Sequence, residues 1–428
     1  MAGPASVSAS ATSLATRAGA WPLAIATALV TRVGIWVLAV VAPSLWGIRA
    51  FNARFYDFPL ATHPFGSSAA NSVVSALARW DAVWYLLIAN KTYVGPHGIP
   101  APAGNGWWDA SINFFPGYPM LVRVVSGLAL SPRLVISAAY VVSLAAFVIA
   151  LYLLYRLAEL ELGARAATWA VVLLAVFPGA VFLGAPYAES LFLALSIGCI
   201  YAARTGHWRA ACALGAAAAA TRLPGVLLVV PLTLFYLHGP SGRGARRSIG
   251  SDAAWLLLVP AALLAYFGYA SHLTGDPLAY FHIGKDFGRG FSQPLSAVTG
   301  AFRATSHALR AIVNGPAAGD PGTGYRYADL TGAVAFVAGV ALTISACRHL
   351  PRAYGAYCVA SLLVIFCTGP DAHPLSPAMR YTAVVFPLFM EAGRLAATRP
   401  RAGWVAAGAM VACLGVVTSL YARWFFLG

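Results

Sequence analysis

Apolar runs of about twenty residues recur along almost the whole chain, and that is the length an α-helix needs to cross a bilayer. Of 428 residues, 60% are hydrophobic and only 10% charged, more apolar surface than one soluble core can hide. Hydropathy places spans at about 21–42, 133–157, 166–184, 187–204, 208–222, 224–238, 253–271, 329–347, 353–369, 379–397 and 402–422. The two flanking Pro224 are short and read as broken helices, because proline lacks the N–H a helix interior needs. The expectation is an all-α polytopic membrane protein with about eleven transmembrane helices. An Ala/Ser/Thr-rich disordered cytoplasmic tail over 1–20 precedes one transmembrane domain over 21–428. The first span is longer than a signal-peptide core and reads as an uncleaved anchor.

The net charge of +15 invites a nucleic-acid reading, but the arginines sit at helix ends and do not form one basic face. They mark topology instead. Arg156 with Arg165, Arg204 with Arg209, Arg243 with Arg246 and Arg247, Arg348 with Arg352, and Arg399 with Arg401 all thread to one side. That side is the cytoplasm, and Arg17 places the N-terminus there too. The other side receives two long segments, 43–132 and 272–328, and two short loops around Pro186 and Asp371; that face as a whole carries eight of the nine Asp residues and Glu189. All six Cys fall in expected spans, against a disulfide framework, and the nine His residues lack metal-site spacing. No metal site and no cofactor are expected.

In the first outer segment a helical pattern runs from about Ala70 to Lys91, with Trp80, Val83, Trp84 and Leu87 on one stripe. An amphipathic helix with Trp on its apolar side reads as lying in the membrane interface, and the short apolar stretch 120–130 reads as interfacial or re-entrant. Asp81 lies among aromatic residues, flanked by Arg79, Trp80 and Tyr85 as candidate substrate contacts. A carboxylate at bilayer depth costs about 2.5–3.5 kcal/mol on insertion scales, so it needs a partner or a purpose. Two readings stand level: a general base taking a proton from a substrate hydroxyl, or a salt bridge to an arginine that pins the helix. Glu189 at a helix start is either a dipole-favoured cap or a substrate contact. Arg222, His282, Lys285, Arg289 and Arg380 are five candidates for binding a phosphate. Glu391 pairs with Arg394 in the i,i+3 sense and has no assigned role.

Four stretches occur in order: Arg79-Trp-Asp-Ala-Val-Trp-Tyr-Leu-Leu-Ile-Ala89, Phe114-Phe-Pro-Gly-Tyr-Pro119, Pro186-Tyr-Ala-Glu-Ser-Leu-Phe192 and Ala220-Thr-Arg-Leu-Pro-Gly225. Together they resemble the PIG-V family, the GPI mannosyltransferase 2 group and its bacterial relatives. The resemblance covers about the first half of the chain. Beyond it only the outer loop and Met379-Arg-Tyr381 match loosely. It implies a GT-C glycosyltransferase fold, with Asp81 as catalytic base and with Glu189 and Arg222 lining the site. It also implies a polyprenyl-phosphate-mannose donor, a lipid-linked or cell-envelope glycan acceptor, and membrane lipids as surroundings. The Arg-rich, Ala-rich composition is bacterial in character, so the GPI acceptor itself is not carried over. The expected location is the plasma membrane, with the site on the extracytoplasmic face. Another lipid-phosphate sugar, glucose or arabinose, remains open, as does a lipid or polysaccharide transporter. Against a transporter, the acids cluster in outer loops and the two halves show no repeat.

Overall fold

The computed structural model describes residues 4–49, 63–93, 107–128, 131–239, 241–242, 244, 248–286, 290, 293–314, 325–370 and 372–428. Its first half contains α1 (Pro4–Trp46), α2 (Ser68–Val74), α3 (Asp81–Lys91), α4 (Gly117–Val125), α5 (Pro132–Leu162), α6 (Ala164–Val176), α7 (Glu189–Arg204), α8 (Trp208–Ala219) and α9 (Val229–His238). The second half contains α10 (Leu258–Thr274), α11 (Ala279–Asp286), α12 (Pro294–Asn314), α13 (Arg326–His349), α14 (Arg352–Cys367), α15 (Ala378–Thr382), α16 (Phe386–Thr398) and α17 (Pro400–Ala422). Helix α1 begins inside the segment expected to be a disordered tail, whose many alanines favour helix.

Among the described residues, five helices are long and apolar enough to cross a membrane: α1, α5, α10 with the short turn before it, α13 and α17. Val30, Leu264, Val334, Val337 and Val405 on these helices are exposed, as suits a lipid surround. The chain is a multi-pass membrane protein. The eleven expected spans divide into these five and shorter apolar helices, because prolines interrupt the hydropathic runs. The run 166–184 splits at Pro178 into α6 and a 3-10 turn, Pro178–Leu183. The runs around Pro224 become α8, a 3-10 turn (Leu223–Leu228) and α9.

Arg32, in the middle of α1, answers one of these breaks. Its Nη2 donates to the Ala175 carbonyl at 3.0 Å and its Nη1 to that of Ala180 at 2.5 Å. Its guanidinium also lies 4.4 Å from the centroid of the Phe147 ring. The last carbonyls of a helix lack intrahelical donors, and in an apolar interior something must supply them.

The turns expected at the cytoplasmic side converge on one another. Glu161 accepts from Arg204 and, at 2.7 Å, from the Tyr354 hydroxyl. Trp208 Nε1 donates to the Asp252 carbonyl at 2.8 Å. On α16, Glu391 accepts from Arg394 Nη2 at 2.6 Å and from the Ser345 hydroxyl of α13 at 2.5 Å.

The helix expected over 70–91 is not one interfacial element. It breaks at Ala78–Trp80, where the segments Ser68–Leu77 and Asp81–Lys91 meet at 107°. Every residue of α3 from Ala82 to Asn90 is buried. An apolar stripe continued by Ala82, Leu86 and Ile88 is apolar all round, and such a helix belongs in a core. Arg123 Nη1 then completes α3 by donating to the carbonyls of Ala89 and Asn90 at 3.0 and 2.9 Å. Helix α4 does have two faces, with Tyr118 and Val122 buried and Leu121, Val124 and Val125 exposed.

Candidate active site

Asp81 is the first residue of α3 because the chain turns sharply just before it. Trp80 has φ of +54°, a conformation costly for a residue with a Cβ. The turn persists because its surroundings over-determine it. The Arg79 carbonyl accepts from the hydroxyls of Tyr187 at 2.9 Å and Tyr421 at 3.2 Å. The Arg79 guanidinium lies 4.7 Å from the Trp424 ring centroid, and the Trp80 ring packs edge-on against Trp424 and Phe426. Arg79 and Trp80 therefore hold the turn, and neither is among the residues lining the cavity described below.

Arg380, on the short helix α15, is 2% exposed and reaches two acids at once. Its Nη1 donates to Asp81 Oδ2 at 2.6 Å and its Nε to Glu189 Oε1. Arg222 donates to the same Glu189 oxygen through Nη1. The four side chains form one alternating chain, Asp81–Arg380–Glu189–Arg222, in which each charge has an opposite neighbour. That arrangement offsets part of the desolvation that buried charges cost. Arg380 also lies 4.6 Å from the Tyr187 ring centroid and Arg222 5.2 Å from that of Tyr381, which adds cation–π attraction.

The site joins all four ordered motifs. Tyr187, two residues before Glu189, clamps the Asp81 turn, and Tyr85 packs edge-on against Tyr118 at 5.3 Å. The Gly117 N–H donates to the Ala220 carbonyl at 2.9 Å, tying the second motif to the fourth. A Cβ on Gly117 would lie 2.4 Å from Thr221 Oγ1, 2.9 Å from Thr221 Cα and 3.0 Å from the Ala220 carbonyl oxygen. Gly117→Ala is therefore expected to lower stability by about 1–3 kcal/mol through overpacking and to displace Arg222. Thermal unfolding in detergent measures the first effect and turnover the second.

These groups border a cavity of about 420 Å³, walled by Asp81, Tyr85, Arg222, Arg380 and Lys285 together with Asn113, Phe114, Phe115, Tyr280 and α14 side chains such as Tyr357 and Ser361. The Asp81 side chain is 19% exposed, and among the described residues its ion pair uses Oδ2 alone, so that Oδ1 is available. Glu189 differs from the expectation: it is wholly buried, does not line the cavity, and makes no N-terminal cap. Its Oε1 takes both Arg222 and Arg380, while Oε2 has no hydrogen-bond partner among the described residues, and the carboxylate positions the two arginines from behind.

Of the five cationic candidates, Arg222, Lys285 and Arg380 line the cavity. His282 lies outside that lining, exposed, with Nδ1 2.6 Å from Asp276 Oδ2. The Leu278 N–H and His282 together hold the Asp276 carboxyl below its ordinary value. Arg289 falls outside the described residues. Among the described residues, no three His, Cys, Asp or Glu side chains converge as metal ligands would. Asn113 and Thr221 were not singled out by sequence reasoning, although each belongs to or directly precedes a motif it quoted. A second groove of about 580 Å³ runs along α5, α7 and α8, and neither a carboxylate nor a guanidinium lines it.

Apolar helices around a cavity with one available carboxylate and three cationic groups define a membrane protein with a charged, ligand-sized site. Residues 28–238 match the family described as mannosyltransferase (PIG-V). GPI alpha-1,6-mannosyltransferase 2 of Mus musculus is 29% identical over 228 residues, covering 51% of this chain and 42% of that protein. The Rattus norvegicus protein of the same name is 33% identical over 248 residues, covering 50% and 46%. The matched region thus spans less than half the length of these curated relatives. Among solved structures, the Archaeoglobus fulgidus oligosaccharyltransferase tethered with an acceptor peptide aligns with 94% of this chain and 56% of its own, at 14% identity and a TM-score of 0.42.

Proposed function

We propose that the protein is an inverting glycosyltransferase of GT-C type. In this reading it moves mannose from a polyprenyl-phosphate-mannose donor to a hydroxyl of a lipid-linked or cell-envelope acceptor. The observation that carries this reading is Asp81, held by Arg380 through one carboxylate oxygen while the other is left for the cavity. The PIG-V relationship over residues 28–238 supports it.

Asp81 Oδ1 takes the proton of the acceptor hydroxyl as that oxygen bonds to the anomeric carbon. The bond from the anomeric carbon to the phosphate oxygen breaks, and its electron pair leaves with the polyprenyl phosphate. A single displacement inverts the anomeric centre. Arg222 and Lys285 meet the charge growing on the phosphate, in a cavity where fixed donors act more strongly than in water. Arg380 is committed to the two acids and orients Asp81. Cationic side chains thus serve the leaving group, and the scheme calls on no metal or other cofactor.

The site belongs on the extracytoplasmic face of the plasma membrane, with the N-terminus in the cytoplasm, because the basic turns gather at the other ends of the same helices. The test is an assay of purified protein with a panel of polyprenyl-phosphate sugars, read by mass spectrometry for a new glycosidic bond. Turnover of the mannosyl donor is expected. Turnover of the glucosyl or arabinosyl donor alone would reassign the sugar, and lipid movement without a new bond would replace the enzyme by a transporter.

A further inference from the structure

One polar group in the cavity wall has no part in this transfer scheme. Asn113 is 6% exposed and lines the cavity with Asp81, Tyr85 and Lys285. Among the described residues, neither Oδ1 nor Nδ2 of its carboxamide has a hydrogen-bond partner. Burying an amide with its bonds unmade costs free energy, and native folds keep few such groups. One that borders a ligand-sized cavity is pairing capacity directed at a ligand.

The backbone on both sides of Asn113 is pinned. The Tyr266 hydroxyl contacts the Ile112 carbonyl at 2.7 Å and that of Phe114 at 3.2 Å, and Tyr93 also donates to Phe114. The Phe114 N–H donates to the Ser111 carbonyl at 3.0 Å. The Phe114 ring packs edge-on against Tyr85, the neighbour of the Asp81 turn. The carboxamide is thereby pre-positioned, so little ordering is left to the ligand.

A carboxamide sets one acceptor beside one donor. That pair matches two adjacent hydroxyls of a pyranose, one giving its proton and the other receiving one. Being neutral, it offers a leaving phosphate far less than Arg222 or Lys285 does. We propose that Asn113 reads a vicinal diol in this cavity and so sets which hexose the site accepts. The inference rests on the glycosyltransferase reading above. The diol belongs either to the transferred sugar or to the acceptor glycan, and the chemistry of recognition is the same.

The experiment is a cycle between Asn113 and the substrate hydroxyls. Wild type and Asn113→Ala are assayed with the mannosyl donor and with donors lacking one ring hydroxyl at a time, then with the matching deoxy-acceptors. Wild type should lose about 10- to 100-fold in kcat/KM on the substrate lacking the contacted hydroxyl. Asn113→Ala should use that substrate and the complete one alike. The series in which the penalty vanishes identifies donor or acceptor. A penalty that persists at full size in Asn113→Ala in both series overturns the proposal. If Asn113→Ala fails to fold, Asn113→Ser with the same substrates decides by the same criterion. If wild type transfers no sugar, the parent reading has failed, and binding decides for Asn113: polyprenyl-phosphate mannose or methyl mannoside should raise the unfolding temperature of wild type and Asp81→Asn more than that of Asn113→Ala. Equal shifts in all three with both ligands, or none in wild type with either, overturn it.

Discussion

Asp81→Asn is expected to cut kcat by about 10²- to 10⁴-fold, the usual contribution of a positioned general base, while the protein still folds. The amide has the shape of the carboxylate and can turn its oxygen to Arg380 Nη1, so the hydrogen bond to Oδ2 has a substitute. Arg380 also keeps Glu189 as an ionised partner. What the amide cannot do is accept the acceptor's proton at neutral pH. The salt-bridge reading of Asp81 makes the opposite forecast, a loss of stability with turnover per folded molecule nearly intact. Measuring kcat beside the thermal unfolding midpoint separates the two. Near-normal transfer by well-folded Asp81→Asn would remove Asp81 from the chemistry.

Arg380→Met should act first on the fold, at a cost of about 3–5 kcal/mol, as when one partner of a buried ionic network is removed. Met fills much of the space but donates nothing. Glu189, wholly buried, would retain only Arg222, and Asp81 would lose its described ion-pair partner. Arg380→Lys should restore only part of this, because a single ammonium cannot reproduce the guanidinium fork that spans two carboxylates. Removing the stranded acid as well, in Arg380→Met with Glu189→Gln, should recover some of the lost stability. Denaturation of the four proteins in one detergent tests this. Equal stability of Arg380→Met and wild type would mean that the ion chain contributes nothing to the fold.

The contrast between these residues tracks their distance along the chain. Asp81, Glu189 and Arg222 stand inside motifs recognisable one at a time. Arg380 is 299 positions from Asp81 and was only one cation among five until the fold set it between two acids. Glu189 looked like a lining residue because its motif occupies an outer helix start, yet depth behind the arginines is invisible to local pattern. The stripe Trp80, Val83, Trp84 and Leu87 was real, but whether lipid or protein faces an apolar stripe depends on what packs against it. For α3 the answer is protein on every side.

The repeated apolar runs by themselves determined that this chain is a helical membrane protein, because a backbone at bilayer depth must satisfy its own hydrogen bonds. Proline marked the break at Pro224, since it cannot donate, but the sharp turn before Asp81 contains no proline and Pro22 and Pro43 lie inside α1. Only the tertiary structure decided what the breaks are for. It set Arg32 on the carbonyls freed near Pro178, brought Gly117 against Thr221, and left Asn113 and one oxygen of Asp81 facing the same cavity. Pairing among buried polar groups is a property of distances in space, and four motifs spread from Arg79 to Gly225 become one site only when the helices carrying them pack together.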